Sequence, residues 1–109
     1  MLFMYILHTL RTKMPQLIMS SEVKGEFPSF VIDIEEQQLQ HLTWNDVLEI
    51  VSMKLKIPTK RLYVKSTAGI RVSHKNLNEY SFNVDNYRMQ YANSEVKNND
   101  YWFSFGTKI

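Results

Sequence analysis

The sequence predicts an α+β fold, a sheet wrapped over one helix with a short extension at each end. Two patterns carry that expectation. Several short segments alternate apolar and polar residues with the period of two that a half-buried strand requires, and one stretch places apolar residues at helical spacing. The strand-like segments are grouped before and after that stretch and do not alternate with helices, which is the order of an α+β domain. The chain has 109 residues, 44% hydrophobic and 22% charged, which suits one globular domain and argues against disorder.

Pro15 closes an amino-terminal segment, because proline lacks an amide hydrogen and restricts the residue before it. Gln16 to Glu22 reads as a first strand around Leu17, Ile18 and Met19, and Lys24-Gly25-Glu26 as a turn. Ser29 to Glu35 sets Phe30, Ile32 and Ile34 against Ser29, Asp33 and Glu35, so the two strands make an antiparallel hairpin. The polar, glutamine-rich run from Glu36 to Leu42 is expected as a loop. Thr43 and Asp46 have capping-box spacing. Trp44, Val47, Leu48, Val51 and Leu55 then form the core stripe of a helix that Pro58 stops.

Beyond the helix, Arg61 to Lys65 alternates Leu62 and Val64 inward with Tyr63 and Lys65 outward. Ala68-Gly69 turns the chain into a short strand at Ile70-Arg71-Val72, and Asn76 to Phe82 suits an irregular turn or short helix. Tyr87, Met89 and Tyr91 alternate with Arg88 and Gln90 and are expected as the last strand. The organisation expected is an apolar and basic extension over 1–15, a domain over 16–92 and an aromatic extension over 93–109.

This order of elements resembles the ubiquitin-like β-grasp family from about Gln16 to Ala92. Thr43 to Val51, Ile57-Pro58 and Arg61-Leu62-Tyr63-Val64 are similar to the family's helix, its Ile-Pro stop and its third strand. Asn76-Leu77-Asn78-Glu79-Tyr80-Ser81-Phe82 is similar to its Thr-Leu-Ser-Asp-Tyr-Asn-Ile segment. The resemblance implies a mixed sheet wrapped on the helix, and a Tyr80 that packs over a loop and bonds backbone. Ubiquitin's apolar recognition patch lies on the outer face of its third and fifth strands. The resemblance puts Tyr63, Lys65, Arg88 and Gln90 there, a polar set that receptors for the apolar patch would bind poorly. Conjugated modifiers end in Gly-Gly, whereas this sequence closes Phe105-Gly106-Thr107-Lys108-Ile109 and has no glycine pair, which argues against a modifier.

The composition narrows function by exclusion. Without cysteine there is no disulfide, thiolate zinc site or Cys nucleophile. His8, His41 and His74 lack metal-pair spacing and no glycine-rich phosphate loop occurs, so no catalytic residue, metal or cofactor is expected. A net charge of +2 does not make a polyanion binder, but the charge is uneven. No acid lies between Glu49 and Glu79, where Lys54, Lys56, Lys60, Arg61, Lys65, Arg71 and Lys75 fall. With Arg88 they form a candidate basic interface. Aromatics are too sparse in that run for nucleic-acid stacking.

The ends supply candidate partner anchors. Phe3, Ile6, Leu7 and Leu10 share one helical face of an acid-free, basic start. That start is shorter than the ~20 apolar residues of a membrane span. Its charge follows the apolar run, unlike a secretory signal. Cytoplasmic residence is expected, with a mitochondrial presequence the alternative. At the other end Tyr101, Trp102, Phe103 and Phe105 are costly to leave in water. They either add a strand to their own sheet or anchor a partner. The function expected is a non-catalytic ubiquitin-like subunit of a larger protein assembly, docked through its termini. The alternative is a free regulatory adaptor that meets an acidic protein through its basic face, as some ubiquitin-related domains meet small GTPases. Homo-oligomerisation is left open.

Overall fold

The computed structural model describes residues 14–65, 69–90 and 99–107, with 88–90 as backbone only. Five strands, β1 Gln16–Ser21, β2 Phe30–Asp33, β3 Tyr63–Lys65, β4 Arg71–Val72 and β5 Asp100–Gly106, form one sheet in the order β2-β1-β5-β3-β4. The helices are α1 Glu36–Gln40, α2 Trp44–Leu55 and α3 Val84–Gln90, with 3-10 turns at Thr59–Arg61 and Leu77–Glu79. β1 and β5 run parallel, from Gln16 opposite Asp100 to Ser21 opposite Phe105. The β1–β2, β3–β4 and β3–β5 pairs are antiparallel. The sheet is therefore mixed and the domain α+β, as the sequence predicts.

The α2 helix forms where the sequence places it. Thr43 Oγ1 accepts from the Asp46 amide at 3.1 Å, and the Asp46 carboxylate accepts from the Thr43 amide at 3.0 Å, which satisfies two amides the first turn leaves free. Lys56 closes the helix in the left-handed region at φ 60°, its amide bonding the Ser52 carbonyl at 2.8 Å. Trp44, Val47, Leu48 and Val51 are buried against the sheet. From the sheet, Leu17, Met19, Val64, Val72, Tyr101, Phe103 and Phe105 meet them. Aromatic rings tie the two layers together. Trp44 stands edge-on to Phe103 at 6.0 Å and to Phe82 at 5.3 Å.

Three expectations need correction. Tyr87 does not begin a strand. It lies in α3, where Asn83 caps the first turn through its side chain, bonded to the Asn86 amide at 3.0 Å. The alternation that suggested a strand gives way to a helical pair, Val84 and Tyr87, both buried. The place it would have taken belongs to β5. This is the segment expected as an aromatic extension, and it lies in the middle of the sheet. Tyr101, Phe103 and Phe105 point into the core and Trp102 points away, a period of two that fits only a strand. The expected boundary near residue 92 falls outside the described residues. The loop expected over Glu36–Leu42 contains α1, because Glu35 and Gln38 form a reciprocal cap and Leu39 is buried.

The end of β5 that β3 does not reach is closed by a side chain. The Trp102 amide donates to Tyr87 Oη at 2.8 Å, so α3 satisfies a group that a shorter β3 leaves exposed. No described helix is long and apolar enough to cross a membrane.

If Asp100–Gly106 is core, Phe105→Ala should lower unfolding free energy by about 3–5 kcal/mol, while Trp102→Ala should cost far less. Urea denaturation followed by circular dichroism checks this. Equal, small effects at both positions would place the segment outside the folded unit.

Candidate functional site

The candidate site is the face of the sheet turned away from α2. Cross-strand partners share a face, so the register lays out its rows. Ile18 lies opposite Val31 on one side and Trp102 on the other, giving an apolar row across β2, β1 and β5. Val31 is 51% exposed and Trp102 47%, with Ile18 half-buried between them. On one side of this row Gln16 Nε2 donates to Asp33 Oδ1 at 2.9 Å. On the other lie Ser20 and Ser104, opposite one another, and then Lys65 and Arg71.

An ionic cluster occupies the far corner. Glu22 follows β1, its amide bonding the Phe105 carbonyl at 2.8 Å, and its carboxylate gathers three donors. Tyr63 Oη donates to Glu22 Oε1, Lys65 Nζ stands 2.7 Å from Oε2, and Arg71 Nη2 stands 3.2 Å from Oε1. The hydrogen bonds from Lys65 and Tyr63, with the charge of Arg71, hold the Glu22 carboxyl at about 2 against an ordinary 4.5. Burial first, then the bond to Glu22, pushes the Tyr63 phenol up to about 12.

Tyr63 is on the outer face yet buried, because it is held from both sides. The Arg71 guanidinium lies 4.6 Å from its ring centroid. Beneath the ring is Gly106, where an added Cβ would fall 2.5 Å from Oη and 2.7 Å from Cζ. Glycine is needed here for close approach, not for its backbone freedom.

The predicted site residues separate into groups. Lys65 and Arg71 are bound into the Glu22 cluster. Lys54 lies over the Phe30 ring at 5.7 Å, on the α2 side. Lys56, Lys60, Arg61 and Lys75 are exposed. Thr59 Oγ1 meets His74 Nε2 at 3.0 Å and so joins the turn carrying Lys60 and Arg61 to the loop carrying Lys75. Arg88 lies on α3, its side chain outside the described residues, as are the anchors Phe3, Ile6, Leu7 and Leu10. Tyr101, Phe103 and Phe105 are buried in this chain's own core, and of the carboxy-terminal anchors only Trp102 meets solvent.

Two implications of the resemblance change with these positions. The outer residues of β5 are Trp102 and Ser104, not Arg88 and Gln90, so that face is more apolar than expected. Tyr80 is exposed, and among the described residues it makes no side-chain hydrogen bond to backbone. Sequence reasoning missed Ile18, Val31 and Glu22. Val31 was legible as the apolar residue among Ser29, Asp33 and Glu35, and Ile18 as the middle of three apolar residues in a strand that alternates. Nothing local marks Glu22, whose partners lie more than forty residues away. Compared with models of known families and with curated protein sequences, the chain matches neither.

The cluster sets a pH dependence. A depressed carboxyl stabilises the fold fully above its unfolded value of 4.5, and that contribution is lost as pH falls from there to about 2. Glu22→Gln should therefore cost about 1 kcal/mol at neutral pH, kept small by the 37% and 51% exposure of its cationic partners. The difference from wild type should vanish near pH 2, as urea melts across pH would show. Tyr63 contributes in the opposite range, with stability present below 10 and lost as pH rises toward about 12. Gly106→Ala should destabilise by about 1–3 kcal/mol through overpacking against Tyr63, and Tyr63→Ala in the same chain should recover much of that coupling in a double-mutant cycle.

Proposed function

We propose that this chain is a non-catalytic, ubiquitin-like protein-binding module, a subunit of a larger assembly, which recognises its partner on the open face of the sheet. The observation that carries the reading is the Val31–Ile18–Trp102 row. It is a contiguous apolar strip that ends on a half-exposed tryptophan and is framed by polar rows, the anatomy of a binding patch with an aromatic anchor. The ordered Glu22 cluster beside it presents cations already fixed in position, which lowers the entropy lost on contact.

The β-grasp assignment draws support from the mixed five-strand sheet with a parallel central pair and α2 packed across one face. The non-catalytic reading draws support from the two displaced ionisations at this face. Glu22 at about 2 and Tyr63 at about 12 move away from neutrality, where a general acid or base would be of little use. Docking through Tyr101, Phe103 and Phe105 is set aside, since those rings fill the core.

A second reading, the free adaptor for an acidic partner, rests on a different place. The Thr59–His74 contact joins the segments that carry exposed Lys60, Arg61 and Lys75, where association would be steered by charge and weakened by salt.

The deciding measurement is the native mass of tagged full-length protein from its own cells, with co-purifying chains identified at rising salt. A large complex that survives high salt and loses at least about tenfold of its partner in Trp102→Ala supports the first reading. A complex that dissolves in salt, survives Trp102→Ala and is lost in Lys60→Glu/Lys75→Glu supports the second. A monomeric mass with no partner overturns both.

A further inference from the structure

The register gives the sheet face a symmetric layout of charge about its tryptophan. Trp102 lies on β5, the middle strand of the five. Asp33 lies two strands away on β2, level with Gln16 and Asp100 and so two residues before Trp102. Arg71 lies two strands away in the other direction, on β4, level with Lys65 and Ser104 and so two residues after Trp102. With strands about 4.8 Å apart and residues about 3.3 Å apart along them, each charge stands about 12 Å from the tryptophan, on opposite sides. All three side chains meet solvent, Trp102 and Arg71 about half and Asp33 more fully. Gln16, an uncharged donor, holds the Asp33 carboxylate at 2.9 Å and leaves its charge in place. At the opposite corner Lys65 and Arg71 share the one carboxylate of Glu22, so that cluster keeps a net positive charge.

Resting on the sheet-face reading, we infer that the partner this face takes is a second copy of the chain, related by a two-fold axis that passes between the two tryptophans. The axis lies between the stacked sheets and crosses the Asp33–Trp102–Arg71 line at a right angle. It sets Trp102 against Trp102 of the second copy, Asp33 against its Arg71, and Arg71 against its Asp33. Both charge pairs form at once because a two-fold contact is self-complementary. The same rotation lays Ile18 over Ser104 of the second copy and Val31 beside its Lys65, so the apolar strip meets a small side chain and an aliphatic stem. A slip of one strand separates both charge pairs, so the charges fix the register of the two faces. The face measures about 19 by about 20 Å, which is small for a specific interface and points to a dimer of micromolar strength.

Sedimentation velocity of the full chain between about 1 and about 500 µM should show a shift from one chain mass to two, half complete on the order of 10 µM. Trp102→Ala, Asp33→Lys and Arg71→Glu should each weaken the dimer at least about tenfold. Mixing Asp33→Lys with Arg71→Glu should restore it to near the wild-type strength, because in the mixed dimer one charge pair is native and the other is reversed in sign. Circular dichroism melts establish that each variant is folded. If Arg71→Glu does not fold, Asp33→Lys decides alone, and a dimer unaffected by it overturns the inference. So does a chain that stays monomeric over the whole range, or a mixture of two folded variants that does not pair. Assembly that continues past two chain masses overturns it as well, since a two-fold contact closes on itself. If the chain is monomeric yet Trp102→Ala still loses a co-purifying protein, the sheet-face reading stands with a different occupant, whereas no loss there removes both.

Discussion

The structure depends on the insertion of β5 between β1 and β3. Without Asp100–Gly106 the described strands are two antiparallel hairpins that share no strand pairing, each too small to bury a face alone. With it, three aromatic rings enter the core from one strand, and every strand is tied into a single sheet. The parallel pairing with β1 is a long-range contact between the two ends of the described chain, so the five-strand sheet is complete only with β5 in place. The topology then sets the order of dependencies. The core under α2 needs Phe103 and Phe105, and the outer face needs Trp102 and Gly106 from the same strand.

That double duty explains the composition of β5. Its inward residues are large and aromatic because they must fill the space beneath α2, Trp44 and Tyr87. Its outward residues become smaller along the strand, from Trp102 to Ser104 to Gly106, and each is matched to its neighbours. Gly106 leaves room for Tyr63, Ser104 sits level with Lys65, and Trp102 extends a row begun by Val31 and Ile18. The Glu22 cluster pins β1, β3 and β4 together at the glycine end, and Tyr87 closes the strand at the tryptophan end. The apolar row is left between two fixed borders, a surface that can meet a partner without first being ordered.

The surface proposed for binding is a flat patch that ends on a tryptophan, suited to a folded partner. It lies on β2, β1 and β5, where the chain leaves apolar residues that the core does not use.

The sequence by itself determined the elements whose signals are local. α2 could be placed from Thr43, Asp46 and its apolar stripe, and the β1–β2 hairpin from the alternation of Phe30, Ile32 and Ile34, because caps and periodicities are written within a few residues. It also determined the α+β class, through the grouping of those signals along the chain. What it did not determine was which of two aromatic segments becomes the last strand. Tyr87–Tyr91 and Tyr101–Phe105 both alternate, and only the tertiary structure chose between them. Val84–Gln90 forms a capped helix over the core, while Asp100–Gly106 offers three large inward rings in succession. The candidate site follows the same division. Val31 could be read as an outward apolar residue, but its union with Ile18 and Trp102 required the register of three strands. The Glu22 cluster required strands more than forty residues apart to be brought side by side, and no property of Glu22 within its own segment records those partners.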